Sequence, residues 1–314
     1  MSLNRLVSMI AFACLFAGCS GDDTGERDAG PLRVVATTSI IADTAARIGG
    51  PDIQVSGLMG PGVDPHLYKA SEGDVRSLQN ADVIFYNGLH LEARMGEVLS
   101  RMGEHRAVAV AEGLDESRLL SPAGAQGTHD PHVWFDVTLW IHAAGRIRDT
   151  LVAADPQHAN GHRERAELLI SEYESLDAEV KGLVSRVPEE LRVLVTAHDA
   201  FGYFGRRYGF EVKGLQGIST ASEAGARDVQ DLAAFIADRR IPAVFVETSV
   251  PPRAIAAVRA AVRSRGFEVL LGGALFSDAL GDPDSEAGTY IGMVRHNTHT
   301  IVNALSGDSE IPHE

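Results

Sequence analysis

Two α/β lobes with mostly parallel four-stranded sheets, joined by one long rigid α-helix, form the fold class that this 314-residue sequence predicts. Three observations lead there. Short β-rich runs alternate with stretches of helical spacing, which implies parallel sheets covered on both faces. The alternation occurs in two series of four strand candidates each. Between the series lies a long segment with no internal proline and an apolar stripe at three- and four-residue steps, the pattern of an amphipathic helix. The length itself exceeds what one compact core usually accommodates.

Taken in order, residues 1–18 read as a lipoprotein signal peptide. Arg5 precedes the apolar stretch 6–17, too short to span a bilayer as a mature helix, and Phe16-Ala17-Gly18-Cys19 follows. Small residues directly before a cysteine resemble a lipobox, so Cys19 is expected to carry the lipid that tethers the chain to a membrane. Cys14 falls in the removed segment, which leaves no disulfide, thiolate metal site or cysteine nucleophile for the folded body. Residues 19–32 are small, charged and turn-forming, a flexible tether.

The N-terminal lobe is expected over 33–155, with strands at 34–38, 53–59, 83–87 and 107–111 and helices at 40–48, 71–80 and 92–102, the second capped by Ser71. The linking helix spans 156–187, with Leu168, Leu169, Tyr173, Leu176, Val180, Leu183 and Val184 on its stripe. The C-terminal lobe, 188–314, has strands at 193–196, 211–215, 243–247 and 268–271 and helices at 226–239 and 252–265. A formal charge of -15 with scattered arginines argues against a nucleic-acid partner.

Of twelve histidines, three stand out by position. His66 follows a predicted strand in Gly60-Pro61-Gly62-Val63-Asp64-Pro65-His66, His132 lies in Asp130-Pro131-His132 before a helix, and His198 ends a strand. Each is read as occupying a strand-to-helix junction, where α/β proteins gather their sites. Each also neighbours a carboxylate able to fix its tautomer: Asp64 for His66, Asp130 or Asp136 for His132, and Asp199 for His198. Asp278 follows the last strand candidate, where a turn or cap aspartate is the competing explanation. Imidazole and carboxylate without sulfur suit Zn(II), Mn(II) or Fe(II). The separations between these four residues are too long to constitute a motif, so spacing alone does not unite them. His158 and His162 are assigned to an exposed face, His296 and His299 to a solvated or packing face, His90 and Glu92 to structure, and Glu247 to a place beside the ligands. Trp134, Phe201 and Tyr203 are expected to wall the site from water.

The stretches VDPHLYKASEGDV, NGLHLE, DPHVWFDV, TAHDAFGYF, ETS and LFSDALGD run in order through nearly the whole mature chain. They resemble the signature stretches of the TroA-like (cluster A-I) metal-binding lipoproteins of zinc and manganese ABC importers. The resemblance implies His66, His132, His198 and Asp278 as the ligands of one Zn(II) or Mn(II) ion. It also implies an ABC permease with its ATPase as partner, an extracytoplasmic location and no catalysis. A histidine at the third ligand position, together with the lack of a histidine-rich loop over 113–128, is similar to the TroA branch and leaves the choice between Zn and Mn open. Two other functions share these features: a metallohydrolase built on the same four residues, and a surface adhesin.

Overall fold

Four parallel strands, β1 (Leu32–Ala36), β2 (Ile53–Gly57), β3 (Val83–Tyr86) and β4 (Ala107–Ala109), hydrogen-bond in the order β2-β1-β3-β4. They belong to a computed structural model that describes residues 30–103, 106–121 and 128–306. The signal peptide 1–18, Cys19 and the tether up to residue 29 lie outside the described residues. Helix α1 (Ser39–Gly49) starts where the Thr38 hydroxyl accepts the Ile41 amide, and it stops at Gly50, whose φ of 57° falls in the region glycine tolerates. Helix α2 (Glu72–Asn80) begins with a capping box in which Ser71 and Asp74 satisfy each other's amides.

The helix expected over 92–102 is replaced by a 3-10 turn and the short α3 (Gly96–Ser100). Leu89 and His90 adopt positive φ just upstream. Glu92 turns inward, accepting the Thr37 hydroxyl (2.7 Å) and the Asn87 amide (2.7 Å). That carboxylate ties the carboxyl ends of β1 and β3 together, which places Glu92 in the framework.

Helix α4 (Val137–Ala154), capped by Asp136, packs along α5 (Ala159–Val184), the linking helix. The stretch 156–187 thus begins with a 3-10 turn at Pro156–His158 and not with α-helix. Leu169, Tyr173, Leu176, Val180 and Val184 are buried as the stripe requires, whereas Leu168 is 68% exposed, one step off that face.

The second half alternates strictly: β5 (Val193–His198), α6 (Gly202–Tyr208), β6 (Glu211–Gln216), α7 (Ala226–Arg239), β7 (Ala243–Glu247), α8 (Arg253–Ser264), β8 (Leu270–Leu275) and α9 (Tyr290–Ser306). Its strands hydrogen-bond as two parallel pairs, β5–β6 and β7–β8, with β5 and β7 side by side. At that junction the His198 amide donates to the Glu247 carboxylate (2.8 Å), so a side chain stands in for a ladder carbonyl. Gly272 and Gly273, beyond the end of the strand expected over 268–271, lie inside β8. The register shift against Val244 and Phe245 and the Gly273 φ of 132° mark a bulge that only glycine accommodates easily.

The largest apolar cluster draws on both halves, joining Trp134, Trp140 and Tyr173 to Phe201, Tyr203 and Tyr290. Smaller clusters fill β5, β6 and β7 against α7 and α8, and β1, β3 and β4 against α2 and α3.

Candidate metal centre

Four segments deliver the candidate donors. His66 stands on the loop between β2 and α2, where its amide donates to Asp64 Oδ1 (2.8 Å) in a tight turn. His132 precedes a 3-10 turn and α4, on a segment pinned by the Asn87 side-chain amide donating to the Pro131 carbonyl (3.0 Å). His198 is the last residue of β5, and Asp278 follows β8. Of the three histidines only His198 caps a strand that leads directly into a helix. His66 lies well beyond β2, and His132 follows no adjacent strand.

The four side chains converge. Their candidate ligand atoms all lie within 4.8 Å of one another. His66 Nε2 is 3.3 Å from His132 Nε2, His132 Nε2 is 3.4 Å from Asp278 Oδ1, and His198 Nε2 is 3.5 Å from Asp278 Oδ2. All four are buried, His66 the least so at 4% exposure. His198 Nε2 and Asp278 Oδ1 have no hydrogen-bond partner, an arrangement that is costly for buried polar atoms unless a cation engages them. Among the described residues no other group of three or more His, Cys, Asp or Glu side chains gathers in this way.

On His132 and His198 the ring nitrogen facing away from this centre meets a carboxylate. Asp130 Oδ1 accepts His132 Nδ1 at 2.7 Å, which leaves Nε2 free to ligate. His198 Nδ1 lies 2.5 Å from Glu247 Oε2, at ion-pair distance but outside hydrogen-bond alignment. Glu247 takes the place assigned to Asp199, because β7 runs beside β5 and brings its last residue level with His198. Asp136 caps α4 and accepts from Thr138, so Asp130 is the partner of His132. Asp64 binds the His66 backbone, and its second oxygen accepts the Thr220 hydroxyl across the mouth of the site (2.5 Å).

Burial and charge act on these groups in opposite directions. Burial drives the His66 ring down to about 3, so it is neutral at any physiological pH. Burial also opposes charge on His132, yet Asp130 and Asp278 outweigh it and raise the ring to about 9. For His198, burial is likewise overcome by Glu247 and Asp278, which hold the ring well above its ordinary value. Asp278 is buried too, but the two flanking imidazoles keep its carboxyl well below the usual range. A cation entering here meets a fixed negative charge and displaces protons.

Aromatic side chains close the surroundings. Trp134 stands edge-on to His132 (5.2 Å between centroids) and donates its indole N–H to the Ser277 carbonyl (2.9 Å), while Phe135 stacks on Phe201 (4.3 Å). Tyr203 donates to the Asp130 carbonyl (2.8 Å). Sequence reasoning missed Ser249 and Ser277, which form a hydroxyl chain onto Asp278: Ser249 Oγ lies 2.7 Å from Ser277 Oγ and donates to Asp278 Oδ2 at 2.8 Å. The stretch Glu247-Thr248-Ser249 was the available signal. His162 is buried beside Asp155 and Arg165, contrary to its expected exposure, and His296 Nε2 meets the Ala274 carbonyl. No helix among the described residues is long and apolar enough to cross a membrane.

The chain is 48% identical over 302 residues to a protein described as manganese-binding lipoprotein MntA of Bacillus subtilis, covering 96% of this chain and 98% of that one. It is 51% identical over 292 residues to zinc-binding protein TroA of Treponema pallidum, covering 93% and 94%. The solved structure of the periplasmic zinc-binding protein TroA from Treponema pallidum superposes with a TM-score of 0.86 at 52% identity, covering 88% of this chain and 99% of that one. Residues 34–304 match the family described as zinc-uptake complex component A, periplasmic. With that match running from β1 through α9, the chain belongs to the ZnuA family of metal-binding receptors.

Proposed function

We propose that this protein captures one Zn(II) or Mn(II) ion outside the cytoplasm through His66, His132, His198 and Asp278 and delivers it to the permease of an ABC importer. The observation that carries the proposal is the convergence of four buried donors from distant segments within 4.8 Å. Kinship with zinc-binding TroA and manganese-binding MntA supports it. In this reading residues 33–155 and 188–314 act as two lobes, each supplying two donors, with 156–187 as the connector. Their shared apolar core favours a small opening over a wide hinge. An acylated Cys19 would keep the receptor near its permease and ATPase, in keeping with the lipoprotein description of MntA. Four protein donors fill a tetrahedral shell, leaving no position for the water that a hydrolase must activate, so no residue is assigned a catalytic role.

The test is metal titration of the purified, chelator-treated protein beside His198→Ala. Stoichiometric uptake of Zn(II) or Mn(II) by the first and loss of at least a hundredfold in affinity by the second are expected. Undiminished binding in His198→Ala would refute the site. Ester or peptide hydrolysis that depends on His198 would favour the enzyme instead.

A further inference from the structure

A hollow of about 350 Å³ opens where the 3-10 turn Glu116–Arg118 meets the start of α4 and helix α6, lined by Ser117, Arg118, Asp136, Arg206 and Arg207. That volume falls at the lower end for small-molecule sites, which span roughly 300–1,000 Å³. Three guanidinium groups surround one buried carboxylate here, yet none closes on it. Arg118 Nη2 stands 3.6 Å from Asp136 Oδ2, Arg206 Nη2 4.0 Å from the same oxygen, and Arg207 Nε 3.8 Å from Oδ1, all longer than a hydrogen bond. Asp136 Oδ1 is instead taken by the amide and hydroxyl of Thr138.

Each guanidinium carries five N–H donors. Among the described residues Arg118 directs one to the Thr138 hydroxyl, Arg206 one to the Arg118 carbonyl, and Arg207 two to Asp177. All three therefore have donors to spare. Charge is unbalanced in the same sense: Arg118, Arg206, Arg207 and Lys181, which shares Asp177 with Arg207, stand against Asp115, Asp136 and Asp177. A cationic hollow on a chain of formal charge -15 attracts anions against the field of the whole protein. The arginines are also held in place, Arg206 over the Tyr203 ring at 5.1 Å and Arg207 by two bonds to Asp177, so a ligand would have little side-chain freedom to quench.

We propose that this hollow binds a phosphate group, carried by a free anion or by a lipid headgroup. Guanidinium forks match phosphate oxygens in pairs and keep their charge at any working pH. The site shares no residue with the metal centre and does not depend on it. Arg118 belongs to the segment ahead of His132, and Arg206 and Arg207 to the helix after His198, so a bound phosphate would lie across both halves of the chain.

The experiment titrates inorganic phosphate into the metal-free protein by calorimetry, beside Arg118→Gln, Arg206→Gln and Arg76→Gln. Arg76 sits on α2, paired with Glu72, so its variant removes a positive charge outside the hollow. Expected is saturable binding that weakens by roughly tenfold or more in Arg118→Gln and in Arg206→Gln and is unchanged in Arg76→Gln. Urea unfolding verifies that each variant is folded, and either arginine of the hollow suffices for the test. Sedimentation with phosphatidylglycerol vesicles separates the two sources: retention that Arg118→Gln or Arg206→Gln abolishes assigns the phosphate to a lipid headgroup, and phosphate uptake without retention assigns it to a free anion. The proposal is overturned by a wild-type protein that takes up neither phosphate nor vesicles, by undiminished binding in Arg118→Gln and Arg206→Gln, or by an equal loss in Arg76→Gln, which would show attraction to overall charge alone.

Discussion

At the scale of single residues, the site is a set of imidazoles whose protonation is divided by their neighbours. His66, whose burial outweighs the attraction of the Asp278 carboxylate, is neutral above about 3. His132, between Asp130 and Asp278, keeps a second proton up to about 9, and His198 is held protonated by Glu247 and Asp278. On the proposed ligation a metal ion needs the Nε2 lone pair of each, so it competes with a proton on His132 below about 9 and with the proton held on His198, but not on His66. Apparent affinity is therefore expected to climb with pH from 6 to 8, by roughly one to two decades per unit, and to level off as the pH passes the raised values. Competition against a chelator of known protonation checks this, and a flat profile over that range would contradict the charge assignment.

The same scale shows how unevenly the site was legible. His66, His132, His198 and Asp278 were identifiable only through their resemblance to a family's signature stretches, because no local spacing connects them. Asp130 was readable as a neighbour two residues from its histidine, a separation a tight turn closes by itself. Glu247 and Ser249 were not, since their approach to His198 and Asp278 depends on β7 lying beside β5 and on the turn that follows it.

Elements with clear local signals appeared where their residues placed them. Helix α7 and strand β7 have the expected bounds, set off by the Gly225 cap and by Pro242. The departures come from tertiary demands. The inward turn of Glu92 shortens α3, and the bulge at Gly273 extends β8 through a glycine pair that looks like a loop in isolation. Among the loops, the one bearing His66 is tied across the mouth by the Thr220 hydroxyl donating to Asp64. A groove of about 490 Å³ lined by Asp64, Leu67, Thr220 and Ser249 opens beside that tie. Removing the hydroxyl in Thr220→Val should loosen the loop and speed release of bound metal by roughly three- to tenfold, the equivalent of a typical net hydrogen bond. A stopped-flow chase with excess chelator measures it, with Thr220→Ser expected to match the wild type.

Across the whole molecule, stability is centred on helices α1, α4, α5 and α9, which pack around one another beneath the site. A buried polar trio binds three of them. Thr44 Oγ1 donates to the Ile40 carbonyl and stands 3.1 Å from both the Tyr173 hydroxyl and the Trp140 indole nitrogen. Thr44→Val strands two buried donors and should cost about 2–4 kcal/mol, whereas Tyr173→Phe leaves Thr44 still partnered and should cost about 1 kcal/mol. Urea unfolding of the metal-free proteins reads this difference, and equal costs would show that the trio does not act as described.

Helix α9 also governs the far end of the site. The Asn297 side chain accepts the Phe276 amide (2.9 Å) and donates to the Phe276 carbonyl (2.7 Å), fixing the segment that leads to Asp278. A polypeptide made from its N-terminus offers all three histidines long before Asn297 exists. On the proposed ligation the fourth donor takes up its fixed position only once residue 297 has been made, so a product that stops short of α9 is expected to hold metal only loosely.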